Sequence, residues 1–156
     1  MTAADKRALE GGQAERRRRM RLFGLSEPAI LEDFLSGLGE IPTPVYLKDP
    51  SEGLVTLRGR MGGTGSLFNI GEVLVSRTVV EIEGRRGYGY TLAEVPGHSE
   101  AAALLDALAE HPLYRETIRR FTMELEDKLR EKRKREAEET GETKVEFFTL
   151  KRGEDD

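Results

Sequence analysis

Residues 72–94, EVLVSRTVVEIEGRRGYGYTLAE, decide the fold. Val, Ile, Thr and Tyr dominate two runs, 72–83 and 87–94, separated only by Gly84, Arg85 and Arg86. Two β-prone runs joined by so short a glycine loop predict an antiparallel hairpin. Alternation along the first run puts Val73, Val75 and Val79 on one face and Leu74, Val80 and Ile82 on the other. A strand apolar on both faces is expected to be covered on both sides. The second run is lopsided. Gly87, Gly89, Thr91 and Ala93 make one face tiny, while Tyr88, Tyr90 and Leu92 make the other bulky. A face without side chains admits another backbone or helix at close range, so Gly87 and Gly89 are candidate interface positions.

Working outward, residues 54–60 alternate as a half-solvated strand, with Leu54, Thr56, Arg58 and Arg60 opposite Val55, Leu57 and Gly59. Pro42, Pro44 and Pro50 punctuate an extended connection before it. Ser26-Glu27-Pro28 reads as a helix start, with Leu31, Phe34, Leu35 and Leu38 at helical spacing before Gly37 and Gly39 end it. Downstream, Ser99 is read as the cap of a helix to near Glu110, carrying Leu104, Leu105 and Leu108 and stopped by Pro112. A second helix from about Tyr114 carries Ile118, Phe121, Leu125 and Leu129. Beyond Leu129 the stripe ends, and the charged stretch 131–142 projects into solvent or meets a charged partner. Residues 144–150 predict a final short strand. The chain therefore reads as α+β: N-terminal helices, an antiparallel β-sheet meander, two C-terminal helices and that last strand. Residues 1–14 read as a flexible tail, because Gly11-Gly12 should break any early helix; 15–153 read as a single domain and 154–156 as an acidic tail.

The 156 residues contain no cysteine. That excludes disulfides, a thiolate nucleophile and Cys-ligated zinc or iron–sulfur clusters in this chain. The two histidines, His98 and His111, form no short metal-binding pair, and no metal site is expected. A formal net charge of −4 gives no support to nonspecific nucleic-acid binding by the chain as a whole. The N-terminus has no apolar signal region, and no window approaches 18 apolar residues, so a cytoplasmic protein without membrane contact is expected.

Several residues are candidates for chemistry. In Arg58-Gly-Arg-Met-Gly-Gly-Thr-Gly-Ser66, the glycines Gly62, Gly63 and Gly65 around Thr64 allow an anion nest flanked by Arg58 and Arg60. The same stretch is equally read as a glycine-rich strand connection with exposed arginines. It lacks the lysine ending of a nucleotide P-loop. Arg77, in phase with Val73, Val75 and Val79, needs an anionic or carbonyl partner or must snorkel at the sheet rim. His98 beside Glu100 reads either as an acid–base pair at a helix start or as a loop histidine beside an acid that complements the dipole. Phe147 and Phe148 are adjacent, so in a strand they point to opposite faces; either both are covered within the chain or one docks on another protein. Arg16, Arg17, Arg18 and Arg19 make the first 22 residues basic, which leaves open an RNA-binding arm, a solvated helix face or a dock for an acidic partner. A stand-alone anion- or nucleotide-binding enzyme using the Gly62, Gly63, Thr64 and Gly65 loop with His98 is a further alternative.

The run Gly53-Leu-Val-Thr-Leu-Arg-Gly-Arg-Met-Gly-Gly-Thr-Gly65 resembles the G subunit of the bacterial carbon–phosphorus lyase system. So do Phe68, Gly71-Glu72, Val75-Ser76-Arg77, Gly87-Tyr88, the His98-Ser-Glu-Ala pattern before Leu105-Asp-Ala-Leu108, and Val145-Glu-Phe-Phe-Thr149 with Arg152-Gly153. The resemblance runs from about Arg19 to Gly153. It implies an accessory subunit that assembles with the I, H and J subunits into a core complex and works with the L protein. It further implies support for transfer of a phosphonate to the ribose C1 of ATP with release of adenine, the ribose 1-methylphosphonate 5-triphosphate synthase activity of phosphonate catabolism. ATP is then a substrate of the complex, no cofactor is bound by this chain, and the radical step on an iron–sulfur cluster falls to the J subunit. The resemblance identifies no catalytic residue in this chain.

Overall fold

Among the described residues seven elements follow the order α1 (Ala3–Leu25), α2 (Pro28–Gly37), β1 (Val45–Arg60), β2 (Leu67–Ile82), β3 (Arg85–Leu92), α3 (His98–Ala109) and α4 (Arg115–Glu142). The computed structural model describes the backbone of residues 3–60 and 65–142, with side chains from Gly12 onward as far as Glu139. The three strands form one antiparallel meander, β1-β2-β3. The β2–β3 turn is at Glu83-Gly84, both at positive φ, as the glycine between the two runs requires. This is the α+β arrangement anticipated. The final strand at 144–150 lies outside the described residues.

Strand β3 receives α3 on its tiny face. A Cβ built on Gly89 would stand 1.7 Å from the Ser99 carbonyl oxygen, and one on Gly87 would stand 2.0 Å from that of Ala103. The helix backbone thus rests where any side chain would collide. The close approach foreseen at Gly87 and Gly89 is therefore occupied by the chain's own α3, not by another protein. Ala101, Ala102, Ala103, Leu105, Ala107, Leu108 and Ala109 are all buried, so α3 is central: β2 and β3 lie on one side, and α1, α2 and α4 pack on it as well. Phe23, Leu31, Ile118, Phe121 and Leu125 complete the core, with Phe34 of α2 stacked on Phe121 of α4 at 3.7 Å between ring centroids.

A carboxylate sits inside this packing. Asp106 has a fully buried side chain, accepts 2.6 Å and 2.7 Å contacts from the Nη2 atoms of Arg16 and Arg19, and takes the Tyr88 backbone N–H at 3.0 Å. Its oxygens tie α1, α3 and the outer strand β3 together and satisfy a backbone donor on that strand. Burial works against the Arg16 charge, but the Asp106 hydrogen bond and its Coulomb attraction outweigh it and hold the guanidinium above its ordinary pKa.

Four local readings need correction. Helix α1 runs from Ala3 straight through Gly11-Gly12, where a break and a flexible tail were expected. Glycine costs a helix only about 1 kcal/mol per residue, and the surrounding Ala, Arg, Glu and Leu are good helix formers. Ser26 does not cap α2: its hydroxyl donates to the Leu22 carbonyl at 2.7 Å, and the cap position is Glu27. Ser99 is not the cap of α3 either; that position is Gly97, and the Ser99 hydroxyl is spent on Ser76 and Thr78 of β2. Finally, among the described residues β2 is covered on one face only. Thr78, Val80 and Ile82 are buried under α3, whereas on the opposite face only Val75 is fully buried and Arg77 is exposed. Among the described residues no helix is laid across that second face; α1 passes the β3 edge, with the Arg16 guanidinium 5.0 Å from the Tyr88 ring centre.

Two stability predictions follow from the seating of α3. Asp106→Ala should cost about 3–5 kcal/mol in a urea melt, since it strands the buried Arg19. Gly89→Ala should cost about 2 kcal/mol or more, because the Ser99 backbone must move, whereas Gly12→Ala, with nothing within 4 Å of the new methyl, should stabilise by up to ~1 kcal/mol.

Candidate functional site

Strand β3 pairs with β2 only from Val75 onward, so residues 54–60 and 67–74 continue as a two-stranded ribbon about 25 Å long. No residue in it is buried. Leu54 faces Leu74 across the pair on the α3 side of the sheet, and Leu54 is 67% exposed. Val55 faces Val73 on the other side, where Leu57 is exposed as well. A bulge at Leu57/Arg58 follows, and beyond it Leu67, Phe68 and Ile70 stand in solvent, Ile70 at 63%. An isolated two-stranded ribbon is marginal in water, and a long apolar edge invites another chain. The half-solvated strand expected at 54–60 is thus open on both faces.

The arginines of the glycine-rich stretch are at the far end of this ribbon. Arg58 and Arg60 are exposed, and Arg60 donates to the Gly65 carbonyl at 3.0 Å. Gly62, Gly63 and Thr64 lie outside the described residues. Arg77 is not brought to them. It sits opposite Ser51, nine residues along β1 from Arg60, about 30 Å away, with its guanidinium over Gly53. His98 is elsewhere again: it is buried, and its Nε2 is 2.9 Å from the Phe23 carbonyl, which fixes Nε2 as the protonated nitrogen and ties the start of α3 to the end of α1. Glu100 is engaged by the Tyr46 hydroxyl instead of by His98. Burial and the Glu100 carboxylate push the Tyr46 pKa up to about 12. His111 is likewise buried, with Nε2 2.8 Å from Glu83. Among the described residues Arg77 and His98 therefore stand apart from Arg58 and Arg60, and the His98 ring links the start of α3 to the end of α1. Phe147 and Phe148 lie outside the described residues. Among the described residues no group of three or more His, Asp or Glu is placed to hold a metal ion, and no helix is long and apolar enough to cross a membrane.

Sequence reasoning missed where the N-terminal arginines go. Arg16 and Arg19 hold Asp106, Arg19 also reaches Glu110, and Arg18 pairs with Glu126 of α4. Three of the four consecutive arginines are engaged inside the chain, which leaves little of an RNA arm. The available signal was Asp106 itself, an acid inside the apolar run Leu104-Leu105-Asp106-Ala107-Leu108, since a buried carboxylate demands a cation. It also missed that the sheet's second face, with Val55, Val73, Val79, Tyr88, Tyr90 and Leu92, stays accessible among the described residues and, with Arg77 in its middle, extends into the ribbon.

The arrangement offers surfaces for other proteins, and its histidines are engaged internally. Comparison with known proteins gives a consistent picture. Residues 14–153 match the family described as "Phosphonate metabolism protein PhnG". A curated relative from Rhizobium meliloti (strain 1021), the "Alpha-D-ribose 1-methylphosphonate 5-triphosphate synthase subunit PhnG", is 35% identical over 156 residues, 99% of this chain and 100% of that protein. With the family matched over nearly its whole length and a full-length relative at that identity, the chain belongs to the PhnG family of phosphonate metabolism proteins.

Proposed function

We propose that this chain is an accessory subunit of a multi-subunit synthase of ribose 1-methylphosphonate 5-triphosphate, acting in phosphonate catabolism by holding partner subunits together. One observation carries the reading: the outer sheet face and the ribbon expose a row of apolar side chains, broken by Arg77, that no helix among the described residues is laid across. Exposed apolar surface of that extent on a domain of 156 residues marks a protein interface. The product named for the relative retains a ribose 5-triphosphate, so the sugar donor is a nucleoside 5-triphosphate. A phosphonate oxygen forms the bond to ribose C1 as the C1–N bond to the base breaks, and with ATP the departing adenine takes up a proton. This chain supplies neither the cluster chemistry of carbon–phosphorus cleavage, having no cysteine, nor an open acid–base pair from its histidines, both of which are buried and hydrogen-bonded. The catalytic groups then belong to the partners, which we assign as the I, H and J subunits and the L protein, with ATP bound by the complex and the whole assembly cytoplasmic.

Co-expression with the I subunit, followed by size exclusion with mass determination, should give a stoichiometric complex. Leu57→Asp with Ile70→Asp should abolish that complex while shifting the melt of the isolated chain by less than about 1 kcal/mol, because both side chains are already exposed. A complex that survives the pair would place the interface elsewhere, and an unaltered chain that ignores the partner would overturn the subunit reading.

A further inference from the structure

On the helical side of the molecule, away from the open sheet face, α1 and α4 leave a groove of about 360 Å³ between them. Its floor is apolar: Leu22, Leu25 and Leu129 line it, with Leu25 half exposed. Its walls are cationic. Arg17, Arg18 and Arg21 stand along α1 and Arg130 and Arg133 along α4, against the single carboxylate of Glu126. Arg18 is paired with that carboxylate, and Arg130 has only a long, exposed contact to Asp127 at 3.6 Å. Arg17, Arg21 and Arg133 lie within 4 Å of no acidic oxygen of a described residue. A chain whose formal charge is −4 therefore concentrates five guanidinium groups around one apolar trough.

We infer that this groove is the docking site of an acidic amphipathic helix from a partner protein. The argument is one of complementarity on two counts. A helix laid between two helices presents one narrow stripe downward, and leucine-type side chains in that stripe would cover Leu22, Leu25 and Leu129. The flanks of the same helix then lie against Arg17 and Arg21 (spaced i, i+4) on one wall and Arg130 and Arg133 (i, i+3) on the other, where Glu or Asp side chains would meet forked donors. A small polyanion such as a triphosphate matches the walls but not the floor, where Leu25 would stay half exposed and Leu129 partly so. This inference rests on the reading that the chain works inside an assembly, and it adds a second contact, separate from the ribbon.

The test offers the full-length chain a fluorescein-labelled 20-residue helical peptide with leucines at i, i+3, i+4, i+7 spacing and glutamates on both flanks, read by anisotropy. Saturable binding at 50 mM salt is expected, weakening about tenfold by 300 mM as the charges are screened. Arg21→Glu with Arg133→Glu should weaken it at least about tenfold without changing the melt, and replacing the peptide's leucines by serine should do the same. The ribbon variant Leu57→Asp with Ile70→Asp should bind the peptide normally, so failure here and failure of the subunit reading are told apart. No binding at 50 mM salt, binding indifferent to the arginine variants, or binding indifferent to the leucines would overturn the inference. So would tripolyphosphate occupying the same arginines more tightly than the peptide, which would make the groove a small-anion site.

Discussion

The rest of the structure depends on how closely α3 lies against β3. With Ser99 and Ala103 backbone atoms occupying the volumes that side chains of Gly89 and Gly87 would need, the helix is pinned to one face of the sheet at one place along it. Everything else adjusts to that contact. The face of β2 beneath α3 carries Thr78, Val80 and Ile82, and the hydroxyls of Ser76 and Thr78 find their partner in Ser99. A helix so deeply placed must be small on the sheet side and apolar nearly all round, which its alanines and leucines supply. Its one buried acid, Asp106, then becomes the point to which α1 is fastened, because leaving it unpaired would cost several kcal/mol.

The sequence made part of this legible. The glycine turn between two β-prone runs is a local signal and gave the hairpin; the alternation of glycine with tyrosine in β3 showed which face would be approached; Pro112 separated α3 from α4. Other features depend on distant residues and were not legible. Period-two alternation tells that both faces of β2 are apolar, but not whether one chain supplies both covers, and here the described residues supply one. Asp49-Pro50-Ser51 carries turn residues and hides a strand. In the fold, β1 absorbs them as register shifts between Tyr46 and Ser51 and runs on from Val45 to Arg60. The arginine run was legible as charge but not as structure, since its partner Asp106 lies about ninety residues away in sequence.

The candidate site shows the same division. The glycine-rich stretch and its arginines stand out in the sequence as unusual local chemistry, and the alternative that joined His98 to that loop had only residue type to go on. Geometry separates them: one arginine pair at the end of a ribbon, one arginine in mid-sheet, one histidine holding the end of α1. A nucleotide-binding or acid–base site needs its groups within hydrogen-bond reach of a common point, and a spread of about 30 Å along β1 does not supply one. What the same spread does supply is a long contact line.

A subunit that acts by contact faces a constraint that a solitary enzyme does not. Each apolar surface it offers must stay out of its own core and yet not destabilise the free chain. Here the fold meets that constraint by layering. The core lies between the sheet's inner face and the helices, closed by α3 and by the Asp106 ion pairs; the open sheet face and ribbon lie on one outside, and the α1–α4 groove lies on the helical outside. The groove shares Leu22 with the core and the open face shares Val75, while the buried leucines and alanines of α3 belong to neither surface. In the proposed assembly, contacts on these two surfaces would hold two partners at a spacing set by the core between them. For the proposed reaction such placement would count, because rigid placement of two reactants removes an entropy that would otherwise burden the bond-forming step.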